Sequence, residues 1–223
     1  MSYIEDKINE DKSGVVSAGS QEAMKVIKNG LLAVMATIAT TILGVLFASH
    51  FGIVISGWVG ALIFLAVMVG MIFLISAAAN TPFGLPLLLT FGFLQGIFLM
   101  GFITQFTVTS LLIATGTTLG ITAACMFLAL SGKVDSSKWG PYLLIVLVAA
   151  IIGIVINIFL ASTMLSLMLS MAIIFIMGGL IVYETQQAVN NPHDSYIHFA
   201  LGLYLSMINI FIHTLNILGI MDE

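Results

Sequence analysis

The chain has no arginine, and across residues 29–132 it has no lysine, aspartate or glutamate either: 104 consecutive residues without a formal charge. A soluble domain carries about a quarter charged residues. Here the charged share is 7% against 60% hydrophobic, so the bilayer is the solvent this chain is built for. Cysteine is equally scarce. Cys125 stands alone inside an apolar stretch, which excludes an internal disulfide and any cysteine-based metal site. A net charge of −4 without arginine leaves no nucleic-acid footprint. The chain opens on a polar stretch rather than a charged cap on a short apolar core. No cleavable signal peptide is therefore expected, and the first span is expected to direct its own insertion.

What is present is apolar sequence in span-sized pieces. Each crossing needs about 20 apolar residues, and turn signals divide the first charge-free run into spans near 31–48, 58–78, 85–104 and 108–130. A second uncharged run, residues 139–183, holds two more spans joined by a tight turn near Ser162, and the last lies near 197–218. Seven spans result, an all-α membrane protein. The four prolines agree, because Pro82, Pro86, Pro141 and Pro192 all fall at span boundaries, where a missing backbone N–H does no harm.

Orientation follows from the six lysines, since basic residues stay on the cytoplasmic side of short loops. Lys7, Lys12, Lys25 and Lys28 precede the first span, and Lys133 and Lys138 lie between the fourth and fifth. Four crossings separate the groups, so all six lysines share one face. The N-terminus is expected in the cytoplasm and the acidic end, Asp222 and Glu223, outside. Residues 1–23 are polar and too poor in apolar side chains to offset the entropy of ordering them. They read as a flexible cytoplasmic tail, either a solvated start or a handle for another protein, with the seven-span domain over 24–223. Small residues spaced four apart, Thr40 with Gly44 and Gly92 with Gly96, let helices approach closely and point to a compact bundle.

Two polar features stand out, both in the last forty residues. Glu184 abuts the end of the sixth span. It is either an interfacial acid that ends the span or a buried functional acid, since acids inside membranes tend to be functional. In the seventh span Gly202, Ser206, Asn209, His213 and Asn216 recur at spacings of four, three, four and three, which lines one helix face. Polar groups facing lipid would go unpaired, so that face points into the bundle or toward water. It serves as interhelical hydrogen-bond glue or as the lining of an ion or proton path. His213 titrates near neutral pH if it is a switch, and is a neutral hydrogen-bonding residue if it is not. No nucleophile with a base and orienting partner, zinc-binding HExxH or phosphate-cradling glycine loop occurs. An enzyme is not expected, and neither is a cofactor.

Three stretches carry a family resemblance. Tyr183-Glu184-Thr185-Gln186, the run from Leu203 to Phe211 followed by Leu215-Asn216-Ile217-Leu218-Gly219, and more weakly Thr81-Pro82-Phe83-Gly84-Leu85 are similar to signatures of the Bax inhibitor-1 (transmembrane Bax inhibitor motif) family, in its bacterial YccA-like branch. The resemblance implies six helices surrounding a central seventh, in a bacterial inner membrane. It implies two functions. One is binding and modulating the membrane-anchored AAA+ protease FtsH, for which the tail would be the handle. The other is a pH-sensitive calcium, cation or proton leak gated by two carboxylates that share a proton. In this chain the gate positions are Glu184 and Ser206, so the pair is broken. A serine can hydrogen-bond Glu184 but supplies neither a like charge nor an anionic ligand for calcium. Glu184 is then the one calcium contact left, with Asn209, His213 and Asn216 as lining.

Overall fold

A computed structural model describes residues 20–55, 60 and 62–221 with their side chains, and residues 2–19, 57–59 and 61 by their backbone. Seven α-helices and no strand occur among the described residues: α1 (Ser2–Phe51), α2 (Gly57–Ala78), α3 (Gly84–Ile103), α4 (Val108–Leu130), α5 (Trp139–Leu160), α6 (Thr163–Asn190) and α7 (Tyr196–Met221). Six are long and apolar enough to cross a membrane, and the searched part of α2, Leu62–Ala78, is apolar but shorter. Six of the seven expected spans thus meet that criterion. The expected tail is described by its backbone alone over residues 2–19, and that backbone is helix, the first part of α1. At Ser20 the chain is still helix, and Ala23 is buried. Asp222 and Glu223 lie outside the described residues.

Helix ends follow from local chemistry. Pro86 and Pro141 sit in the first turns of α3 and α5, where a proline N–H would have had no partner. The turn between α5 and α6 is fixed by one backbone angle and two hydrogen bonds. Ala161 takes a left-handed φ of 47°, the Asn157 carboxamide oxygen accepts the Ser162 N–H at 3.1 Å, and the Ser162 hydroxyl caps α6 by accepting the Leu165 N–H at 3.3 Å. Thr107 caps α4 in the same way, accepting from Ser110 N–H at 3.1 Å.

α1 and α3 form the tightest pair. A Cβ on Gly44 would strike the Phe93 carbonyl, and one on Gly96 would strike the Thr41 carbonyl. Gly92 lies on Thr37 and Thr40 in the same way. The two small-residue pairs read from the sequence therefore pack against each other within one chain. α7 packs on α1, α2, α3, α4 and α6, and α5 packs on α6. No residue from Tyr196 to Ile220 is fully exposed.

The ends of the bundle can be told apart by their charges. Lys25 in α1, the α2–α3 turn and the α6–α7 loop surround one cleft. The α4–α5 loop, with Lys133 and Lys138, is tied to the end of α6 by Gln186, whose carboxamide oxygen accepts the Ser136 N–H at 2.8 Å and the Ser136 hydroxyl at 2.6 Å, while its NH2 group donates to the Val134 and Ala129 carbonyls. The described lysines thus share one end, here called the lysine-bearing end.

Candidate functional site

The Tyr183-Glu184-Thr185-Gln186 run occupies the last turns of α6, where a helix presents four successive residues to four directions. Tyr183 lays its ring over Gly140 at the start of α5, Thr185 is fully buried and donates to its own helix at the Ile181 carbonyl (2.7 Å), and Gln186 clasps the α4–α5 loop. Glu184 alone turns inward onto α7. Its carboxylate rests directly on Gly202, so closely that a Cβ there would fall within the carboxyl group. Gly202 is in this position because no other residue leaves room for that acid.

Among the described residues nothing hydrogen-bonds or pairs with the Glu184 carboxylate. It opens onto a cavity of about 160 Å3 shared with Gln187, Asp194, His198 and Phe199. Asp194 accepts from the Ser195 N–H at 2.7 Å and pairs with His198 Nδ1 at 2.9 Å, and His198 Nε2 reaches the Ser76 carbonyl of α2 at 3.3 Å. The acid therefore sits at the junction of α6, α7 and the loop between them.

Ser206 is buried one turn beyond Gly202, and no hydrogen bond joins it to Glu184 among the described residues. The carboxylate meets the glycine of the stripe rather than the serine. Asn209 spends its amide on its own helix, donating to the Leu205 carbonyl at 2.7 Å. His213 and Asn216 belong to a second polar site on α6. Asn216 donates to the hydroxyls of Ser166 (3.0 Å) and Ser170 (2.8 Å), and Ser170 lies 3.1 Å from His213 Nδ1. Ser170 thus bridges the Asn216 amide and the His213 ring.

Ser170 and Glu184 are fourteen residues apart on α6, about 21 Å along a helix rising 1.5 Å per residue. Between them α6 buries Ile173, Ile176, Met177 and Ile181. The stripe on α7 is thus opposed by polar groups at both ends and by hydrocarbon in the middle.

Several residues of these sites were not singled out by the sequence reading. Ser166 and Ser170 repeat the four-residue spacing of a helix face, as Asp194 and His198 do at the start of α7, so the periodicity that revealed the α7 stripe applies to both. Gln186 was read only as part of the family signature, because its partners lie fifty or more residues away and are mostly backbone groups of the α4–α5 loop.

Relatives align with most of the chain's length. The chain is 32% identical over 164 residues to a protein of Escherichia coli (strain K12) named "Modulator of FtsH protease YccA", covering 72% of this chain and 75% of that one. Its counterpart in another Escherichia coli strain, equally similar, is named "Inner membrane protein YccA". An uncharacterized membrane protein of Vibrio cholerae is 30% identical over 210 residues, 91% of this chain and 92% of its own. The family described as "Inhibitor of apoptosis-promoting Bax1" matches residues 23–223. The chain is a multi-pass membrane protein that belongs to the Bax inhibitor-1 family.

Proposed function

We propose that this protein binds and modulates the membrane-anchored protease FtsH from a bacterial inner membrane, with its lysine-bearing end and N-terminus in the cytoplasm and its C-terminus outside, and that it is not an enzyme. The observation that carries the reading is its likeness, over 72% of the chain, to a protein named for that modulation. On this reading α7 is the central helix of the bundle and the N-terminal segment is the handle. The segment to remove is residues 2–19, because Glu22 and Lys25 line the end cleft and Ala23 is buried. Deleting it is expected to abolish co-purification with FtsH and any change in FtsH proteolysis while the bundle stays folded. Full co-purification of the truncated protein would sink the handle.

A second reading is supported by one feature: a half-buried carboxylate without a partner among the described residues, facing a cavity at the lysine-bearing end. Glu184 then forms the mouth of a cation or proton leak, calcium being the ion to try first, with Ser206, Asn209, His213 and Asn216 along its path. Flux into dye-loaded liposomes is expected to be protein-dependent and lost in Glu184→Gln. Flux equal to that of empty liposomes removes this reading.

A further inference from the structure

The cavity below Glu184 is not isolated. Val26, Asp194 and Ser195 line both it and a wider cleft of about 790 Å3, whose walls also carry Glu22 and Lys25. The cleft is a vestibule and the small cavity is the chamber at its floor. Three carboxylates, Glu22, Asp194 and Glu184, follow one another inward. Glu22 lies 3.6 Å from the ring of His193 and Asp194 is held by His198, whereas Lys25 on the vestibule wall pairs with none of the three among the described residues. The deepest of the carboxylates rests on Gly202, opens onto the chamber and has no partner among the described residues.

Such an acid is neutralised by a proton, a metal ion or an organic cation, and the walls discriminate among these. A calcium-like cation takes six to eight oxygen ligands, but no group of three His, Cys, Asp or Glu side chains able to hold a metal occurs among the described residues. The remaining chamber wall is mixed: Val26, Ala188 and Phe199 form an apolar side, and Gln187, Asp194 and His198 are among the polar residues beside it. A hydrated ion leaves the apolar side unmatched. An alkylammonium matches both halves, with three N–H donors at its head and a methylene stem that buries against apolar surface. We propose that the chamber is a binding site for an alkylammonium group, its head on Glu184, its stem along Val26 and Phe199, its entrance the vestibule. The proposal goes beyond both readings above. The amine comes from one of two sources: a free aliphatic amine or the lysine side chain of another protein.

The experiment is thermal unfolding of the purified full-length protein in micelles, titrated separately with 1,5-diaminopentane and with N-acetyl-lysine methylamide. The expected result is a saturable rise in Tm with at least one amine and no rise with sodium chloride at matched ionic strength. The midpoint is expected to move about tenfold or more to higher concentration in Glu184→Gln, because a charged hydrogen bond is lost. Val26→Phe fills the chamber without altering a charge and is expected to do the same, which covers the case in which the Gln variant does not fold. A stronger response to the diamine identifies a free amine as the ligand, and a stronger response to the lysine derivative identifies a protein side chain. The proposal is overturned if neither amine gives a saturable rise, if both variants keep the wild-type midpoint, or if calcium chloride outperforms both amines. None of these outcomes bears on co-purification with FtsH, so the two ideas fail separately.

Discussion

α5 and α7 are both long enough to cross a membrane, yet they are opposites. In α5, Ala150 is the single buried residue, and the one amide in its body, Asn157, turns onto the backbone at its own end. In α7 no residue from Tyr196 to Ile220 is fully exposed, and the helix carries Ser206, Asn209, His213, Thr214 and Asn216. In water the apolar helix would be the core and the polar one the surface. A bilayer reverses the ranking, because lipid tails are as apolar as leucine and give a hydrophobic helix no reason to leave them. Polar side chains, which find no partner in lipid, are what mark the interior here.

Glycines test the contrast most severely. Gly202 on α7 has the Glu184 carboxyl group where its Cβ would be, whereas a Cβ on Gly153 of α5 would meet the flexible end of Leu169. Gly202→Ala has nowhere to put its methyl without expelling the acid. Forcing extra atoms into a packed site costs about 1–3 kcal/mol and occasionally more, and Gly202→Ala is expected at or above the top of that range. Gly153→Ala is expected to stay within about 1 kcal/mol of wild type, since Leu169 can move aside and alanine is the better helix former. Denaturant unfolding in mixed micelles measures both. Equal losses would mean that α7 is no more tightly enclosed than α5.

Exchanging polarity between the helices should hurt in both directions. Ile152→Asn puts an amide on the exposed face of α5, which would be harmless in water but is expected to cost about 2 kcal/mol in a bilayer, where that amide is unpaired. Asn216→Leu makes α7 more apolar yet removes its bonds to Ser166 and Ser170. Interhelical bonds of this kind contribute about 0.6 kcal/mol each on average, so a loss of about 1 kcal/mol is expected in the same assay. A gain in stability from Asn216→Leu would show that its hydrogen bonds do not offset the burial of the amide.

The same reversal explains how much of the molecule was legible beforehand. Span positions came through closely because they depend on hydrophobic length and on charges and prolines at the boundaries. α4, expected over 108–130, is found at Val108–Leu130. The turn expected near Ser162 is found there, with Ser162 as the cap. The α7 stripe was visible as a spacing, and the need for polar groups to face inward told where it must point. What each polar group would touch was not visible, because that depends on the register between helices. Register places Glu184 on Gly202 instead of hydrogen-bonding it to Ser206, and turns Asn209 back onto its own backbone. It also splits the stripe by setting Ile173, Met177 and Ile181 opposite its middle, a pattern that belongs to α6 and not to the helix where the stripe was read.

The smallest expected difference lies at the entrances to the two helices, each reached through an aspartate. Burial pushes the Asp194 carboxyl up, but bonds from the His198 ring and the Ser195 N–H outweigh it, and the group titrates below its ordinary value of 3.8. At Asp135 the Ser137 N–H is the main influence, ahead of Lys138, and it too holds the carboxyl low. A carboxyl whose pKa is lowered by folding adds stability above its unfolded value and loses it as pH falls through the folded one. Asp194→Asn is therefore expected to lower Tm at neutral pH, with the gap to wild type closing as pH falls below about 4. The Asp194 side chain is 54% exposed, so solvent screening keeps the effect below about 1 kcal/mol. Asp135→Asn is expected to follow the same trend with a smaller gap, because an asparagine oxygen can accept the same Ser137 N–H and the group lies in open solvent. A gap for Asp194→Asn that persisted at acid pH would locate the loss in the shape of the loop rather than in the charge that ties the start of α7 to α2 through His198.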